Sequence, residues 1–390
     1  MKKMLWMAAL TSVALAGCVN EEVAVDNPSK QQKELKFGEP MMYTQSRSFD
    51  GEIYDSEKKA SYPENELFVV FAIETDGNFK GWAADNVQAN EDDANVKSFF
   101  PINGVKVKKK TNDSYWHIEG EDKYFWPSEE GHKLTFAAYS PARAKNAGTI
   151  TYGETGLLIK DFTIQSTPET QYDLMYSTRT IDATTSPVDI NFKHALSSIR
   201  FTFVKPEVEN GGANSITITK LSVSGGILDI GTFSQDIAAS SPSEAGTPVW
   251  KDKKHVMEEG GSTPKDIEYV LFQGEFSVPT TGSEISNIYS FLPIPQNITD
   301  DMIVNVTYKV QQQAGENFSD AITNTIPFKN FLLSNSTEYT KEWVMGNRYV
   351  YHIHFGALKE IFFNPVISND WTTTNVAGIY EISTTNNATP

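Results

Sequence analysis

The chain has 390 residues, 39% hydrophobic, 12% aromatic and 21% charged. That excludes a disordered polymer, which lacks the aromatic and apolar residues needed for a core. With 33 Lys and Arg against 50 Asp and Glu the net charge is −17, which argues against nucleic acid as a partner, because that affinity comes mainly from neutralised phosphates. The single cysteine rules out a disulfide within the chain, and at roughly 100–200 residues per domain the length suggests two or three domains.

The chain opens with Lys2 and Lys3, then runs from Leu5 to Ala16 almost without a polar group. A run of about twelve apolar residues is too short to span a bilayer core of about 30 Å and reads as a secretory signal peptide. It ends in Leu15-Ala16-Gly17-Cys18, which resembles a bacterial lipobox. The resemblance implies removal of residues 1–17, acylation of Cys18 and anchorage to outer-membrane lipid, since acyl chains contribute about 0.8 kcal/mol per buried methylene. Residues 18–34 are polar and acidic and read as a tether. Glu21, Glu22 and Asp26 resemble the surface-export signals of Bacteroidota lipoproteins, and a solvated tether explains them equally well.

Beyond the tether the dominant period is two. Leu35 to Tyr43 reads as an apolar first strand, followed at Arg47 by the only arginine before Arg143. Leu67 to Ile73 is a seven-residue apolar run, the length of a buried strand, and Leu134 to Tyr139 is another, closed by Ser140-Pro141. Alternation continues at Phe162-Thr163-Ile164, Ile216 to Thr219, Leu221 to Val223 and Ile303 to Val310. Near the end Tyr349, Tyr351, Ile353 and Phe355 share one strand face, with Val350, His352 and His354 on the other. Turn signals such as Asn103-Gly104 and Gly225-Gly226 divide these runs. Short helices are expected only at 88–97 and 193–199. Many short strands without long helices indicate β-sandwiches, not a parallel-sheet enzyme. The polar stretch 181–187 suggests a boundary between an N-terminal sandwich, 35–183, and a C-terminal one, 187–390, with 233–265 as a long loop.

Chemistry-bearing motifs are absent: no Gly-x-Ser-x-Gly, no His-Glu-x-x-His, no phosphate loop and no dinucleotide glycine pattern. No enzyme activity and no cofactor are therefore expected. His194 reads as a structural histidine at a strand irregularity. His352 and His354 alternate on one face but lack a visible third metal ligand. The carboxylate groups Glu91-Asp92-Asp93 and Glu119, Glu121 and Asp122 read as solvated turns. Trp82, Trp116 and Trp126 are the candidates for an aromatic sugar-binding surface, with Trp126 the one expected in the core.

Four patterns together resemble one family. They are Tyr124-Phe125-Trp126-Pro127 with Leu134 to Pro141, Asp173-Leu174-Met175-Tyr176-Ser177, Val188 to Phe201, and a last set from Trp343 and Gly346 through Tyr349-Val350-Tyr351 to Pro365 and Trp371. Their order is similar to that of the fimbrillin-like lipoproteins of Bacteroidota. The resemblance implies two tandem transthyretin-like β-sandwich domains. It implies a pilus (fimbrial) subunit assembled at the cell surface with other pilus subunits by strand exchange, a stalk role being favoured. It also implies cleavage by an Arg-directed protease, for which Arg47 and Ser48 flank the matching bond. At the other end the chain continues past Trp371, and Val376, Gly378, Tyr380 and Ile382 fall on one face at period two. Residues 376–383 are thus a candidate donor strand, with Val376, Tyr380 and Ile382 as its apolar contacts. A last strand paired within 187–390 is the alternative for the tail. A non-polymerising surface lipoprotein or tip adhesin, binding a glycan or host protein, is the alternative for the whole.

Overall fold

A strand that reads as an unbroken apolar run must be buried on both faces, and this chain places two such strands at its centre. The computed structural model describes residues 33–368 apart from 44–58, 76–95, 121, 154–155, 168–169, 183–186, 206–214, 236–246, 281–282, 285–289, 312–314, 316, 332–340 and 356–360. Cys18, Arg47, Ser48, Trp82, Val376, Tyr380 and Ile382 lie outside the described residues.

The described residues are nearly all β. In chain order the strands are β1 (Met41–Tyr43), β2 (Lys59–Ser61), β3 (Phe68–Thr75), β4 (Val96–Ser98), β5 (Val105–Lys109), β6 (Trp116–Ile118), β7 (Lys133–Ser140) and β8 (Thr149–Gly153). Then come β9 (Gly156–Thr163), β10 (Met175–Asp182), β11 (Asn191–His194), β12 (Ser198–Val204), β13 (Ser215–Ser224), β14 (Ile230–Gln235), β15 (Val249–Lys254) and β16 (Tyr269–Ser277). The last are β17 (Ser283–Glu284), β18 (Gln296–Asn297), β19 (Ile303–Gln311), β20 (Ile322–Pro327), β21 (Glu342–Trp343), β22 (Arg348–Phe355) and β23 (Ile361–Ser368). Helical pieces are short 3-10 turns such as Ala142–Asn146 and Phe328–Asn330.

The largest sheet runs β2-β1-β11-β10-β7-β3-β5-β6, with β4 also on β3. Its central strands β3 and β7 serve two cores. Phe68, Val70, Leu134, Phe136 and Ala138 face one cluster, while Val69, Phe71, Ala137 and Tyr139 face the other. Two four-stranded sheets, β17-β12-β22-β23 and β16-β13-β19-β20, lie face to face. Phe203 of β12 meets Phe276 of β16, and Tyr308 of β19 meets Phe355 of β22. That is the arrangement of a sandwich.

The remaining four-stranded sheet, β15-β14-β9-β8, lies against the largest one: Phe233 of β14 packs on Tyr176 of β10, and Tyr152 of β8 on Phe71 of β3. It draws β8 and β9 from before the polar stretch 181–187 and β14 and β15 from after it. Conversely β11, after that stretch, pairs with β10 and β1. Hydrogen-bonded pairing therefore crosses 181–187 in both directions.

Two expectations are corrected here. The stretch 193–199 is not a helix: β11 ends at His194, Ala195 and Leu196 are buried in the turn that follows, and Ile199 is buried inside β12, which begins at Ser198. Their helix-like spacing is tertiary burial across a turn and the start of a strand. Of the other short helix expected, at 88–97, residues 88–95 lie outside the described residues, and Val96 begins strand β4. The proposed loop 233–265 also contains regular structure, since β15 pairs with β14 there.

Candidate functional site

The N-terminal segment 33–43 crosses the molecule between two strand edges that are separated by most of the largest sheet. On one side it is antiparallel to β6 and to 124–126. Leu35 N–H donates to Tyr124 O (2.8 Å), Trp126 N–H to Lys33 O (2.9 Å) and Trp116 N–H to Phe37 O (3.0 Å). On the other side it is parallel to 188–192: Val188 N–H donates to Lys36 O (2.8 Å), Gly38 N–H to Val188 O (2.9 Å), and β1 continues the ladder on β11. The segment thereby closes the sheet from β6 round to β11, and no other strand joins those two edges among the described residues.

Alternation inside the segment follows from this position. Leu35 and Phe37 point inward and are buried, and Phe37 packs edge-on against Phe68 (6.5 Å) and Phe136 (6.3 Å). Lys36 points outward with its ammonium over the Tyr115 ring, and Glu34 pairs with Lys123. At Gly38 a Cβ would come within 2.6 Å of the Asp189 carboxylate, so any larger residue would have to push that side chain aside. Burying a Leu and a Phe stabilises the segment by about 1.5–3 kcal/mol each. The ladder satisfies backbone groups on two edges that would otherwise stand open.

The walls of this slot are aromatic. Tyr62 sits against Phe68, Trp116 and Phe192, and its hydroxyl shares a 2.6 Å hydrogen bond with Ser140 Oγ; burial holds the phenol well above its ordinary pKa. Trp116 is buried with no acceptor for its indole N–H. Trp126 is buried against Phe136. Trp116 and Trp126 thus belong to the core, so neither forms the sugar-binding surface that was open for them on sequence. Tyr62 is a site residue that the sequence did not mark. Its neighbours in the slot are remote along the chain, and Ser61-Tyr62-Pro63 carries only a local turn signal.

Other sequence candidates resolve into structure. His194 is buried, with Nδ1 2.9 Å from Asp173 Oδ1, the structural histidine expected. His352 is half-buried and bonded to the Thr202 hydroxyl. Among the described residues no cluster of three or more His, Cys, Asp or Glu can hold a metal ion. Glu119 lies between Lys106 and Lys108, at 3.7 and 3.3 Å, on the surface. A buried carboxyl that the sequence did not single out is Asp229, which accepts from the Tyr269 hydroxyl and from Val256 N–H. Burial pushes its pKa up, against the hydrogen bonds that pull it down.

No helix among the described residues is long and apolar enough to cross a membrane. Comparison with curated proteins finds no match. Among solved structures, a fimbrial protein from Bacteroides vulgatus is 17% identical with a TM-score of 0.50, covering 86% of this chain and 100% of that one. This likeness shows a shared fold. A candidate cell adhesion protein from Bacteroides uniformis is 14% identical with a TM-score of 0.45, covering 87% of this chain and 99% of that one. A model of the fimbrillin-like family matches residues 64–371, well over half of the sequence, and the chain is a member of that family.

Proposed function

We propose that the chain is a structural subunit of a cell-surface fimbria, exported as a lipoprotein through Cys18 and polymerised by β-strand exchange, with a stalk role. The observation that carries this reading is the seat of segment 33–43 between two strand edges. If the chain is cut after Arg47, nothing covalent joins that segment to the rest of the subunit. Its departure opens two backbone edges and exposes Phe68, Phe136 and Trp116, a surface that recruits an extended strand. The cut also separates the subunit from Cys18 and hence from outer-membrane lipid. Residues 376–383 of a neighbouring subunit then enter the slot, with Val376, Tyr380 and Ile382 facing its core. Two tandem transthyretin-like sandwiches form part of the same proposal, with β14 and β15 of the second reaching across to the first.

Exchange of one strand for another keeps the number of ladder bonds nearly constant, so the cut and the release from lipid give the process its direction. The experiment is mass spectrometry of surface fibres together with boiled and unboiled samples on one gel. The expected result is an N-terminus at Ser48 and a ladder only in the unboiled lane. Intact residues 19–47 in the fibre would remove Arg47 as the processing site. A single band in both lanes would favour a surface lipoprotein that does not polymerise.

A further inference from the structure

An open edge strand offers unpaired N–H and C=O groups to any extended chain, and natural edges are blunted by brevity, charge, proline or bulges. Most edges of the described sheets carry such a guard. β2 and β17 have three and two residues. β15 carries the exposed Lys251, Lys253 and Lys254 and a register shift against β14. β16 carries Gly274, Glu275 and two register shifts against β13, and β23 has Pro365 inside it. β8 bears no charge, but it exposes no large apolar side chain among the described residues.

β20 has none of these guards within its span. Its six residues, Ile-Thr-Asn-Thr-Ile-Pro, are uncharged, and proline stands only at the last. It follows β19 through consecutive pairs, Tyr308 with Ile322 to Ile303 with Pro327, without a bulge. No strand pairs with its other edge among the described residues. Ile322 and, four residues earlier, Phe318 are exposed large apolar side chains. Thr323 and Thr325 are exposed on the outer face, their hydroxyls bonded to Thr307 and Asn305 of β19.

The charges at the two ends say which strand fits. Between Asp320 and Lys329 there is no charge. Lys329 pairs with Asp300, which is 86% exposed, a surface contact that costs little to rearrange. A second β20 laid antiparallel brings the acidic end of each copy to the basic end of the other, whereas a parallel one sets like charges together. The edge is therefore complementary to itself, as an interface with twofold symmetry requires.

We propose that β20 is an interface between two copies of this chain, paired antiparallel about Asn324. Ile322 then lies opposite Ile326 of the second copy, and Thr323 opposite Thr325. Asp320 falls within one position of Lys329 of the second copy. The pairing joins two four-stranded sheets into one of eight, and it needs neither a cut at Arg47 nor strand exchange.

The test uses the mature chain with Cys18→Ala, uncut, in sedimentation over a range of concentrations. The parent is expected to pass from monomer to dimer. Thr323→Lys with Thr325→Lys sets lysine opposite lysine twice and should weaken the dimer by about tenfold. Thr323→Glu with Thr325→Glu should do the same, and an equal mixture of the two variants should recover the dimer. That recovery separates lost pairing from lost folding. The register is read by oxidation: a mixture of Thr323→Cys and Thr325→Cys chains should cross-link, and neither alone, since only directly opposed residues come within disulfide reach. A parent that stays monomeric, charge variants that dimerise like the parent, a mixture that does not recover, or a Thr323→Cys chain that cross-links by itself would each overturn the interface. All four leave the strand-exchange reading untouched.

Discussion

At the residue scale, Asp229 and Gly225 show how one loop is held. Asp229 follows the Gly225-Gly226 turn and is anchored by Tyr269 and Val256. Its pKa is raised, chiefly by burial, so the folded chain binds this proton more tightly than the unfolded chain does. Its contribution to stability is then full below the ordinary carboxylate range and is lost as pH rises through the raised value. Asp229→Asn keeps an oxygen for Tyr269 and removes the titration. The stability of the parent relative to this variant should fall between acid and neutral pH, measured by urea unfolding; a constant difference would contradict the raised pKa. Glu268 works in the opposite sense. The Lys220 ammonium and the Ser222 hydroxyl hold it below the usual range, so its contribution is lost as pH falls. Gly225 is constrained by geometry: its φ is +72°, and a Cβ would stand 2.0 Å from the Asp301 carbonyl oxygen. The left-handed backbone alone costs a larger residue about 1–2 kcal/mol. With the clash added, Gly225→Ala should destabilise by at least about 2 kcal/mol. A denaturation midpoint equal to the parent's would refute the clash.

At the scale of elements, segment 33–43 is the case where sequence and structure each supply half. The alternation of Leu35 and Phe37 against Lys36 is legible in the sequence as a strand with one buried face. Its parallel partner, 188–192, is about 150 residues away along the chain, and no local pattern specifies such a pairing. The double burial of β3 was legible for the opposite reason, because a run without polar residues has no face to give to water. The stretch 193–199 misled because apolar residues at helical spacing also suit a buried turn, at Ala195 and Leu196, that runs into a strand, at Ile199. Phe37→Ala tests whether the segment is an integral part of the free subunit. Loss of a fully buried phenylalanine should cost about 3–5 kcal/mol in urea unfolding of the uncut chain, with the slope unchanged. A cost under about 1 kcal/mol would mean that the segment contributes little to the fold before assembly.

At the scale of the molecule, the exchange of strands across 181–187 decides how the chain unfolds. Separating the halves at that stretch would strip β8 and β9 from β14, leaving Trp250 without Phe162 and Phe233 without Tyr176. It would also strip β11 from β10 and from β1, removing the parallel edge on which the first segment rests. The indole of Trp250 donates to Ala195 O at 2.6 Å, so the layer over β7 and β10 is tied to the turn that leads into β12. Each half on its own would expose open sheet edges and a large apolar face, the features that drive aggregation. The expected result is that 35–183 and 187–390, made separately, are insoluble or lack cooperative unfolding, whereas together they recover a soluble complex. The intact chain should then lose both cores in one transition, seen as coincident curves for far-ultraviolet circular dichroism and tryptophan fluorescence. Two separated transitions, or a half that unfolds cooperatively by itself, would show that the shared sheet does not couple the cores. In that case the polar stretch would mark an energetic boundary even though hydrogen bonds cross it.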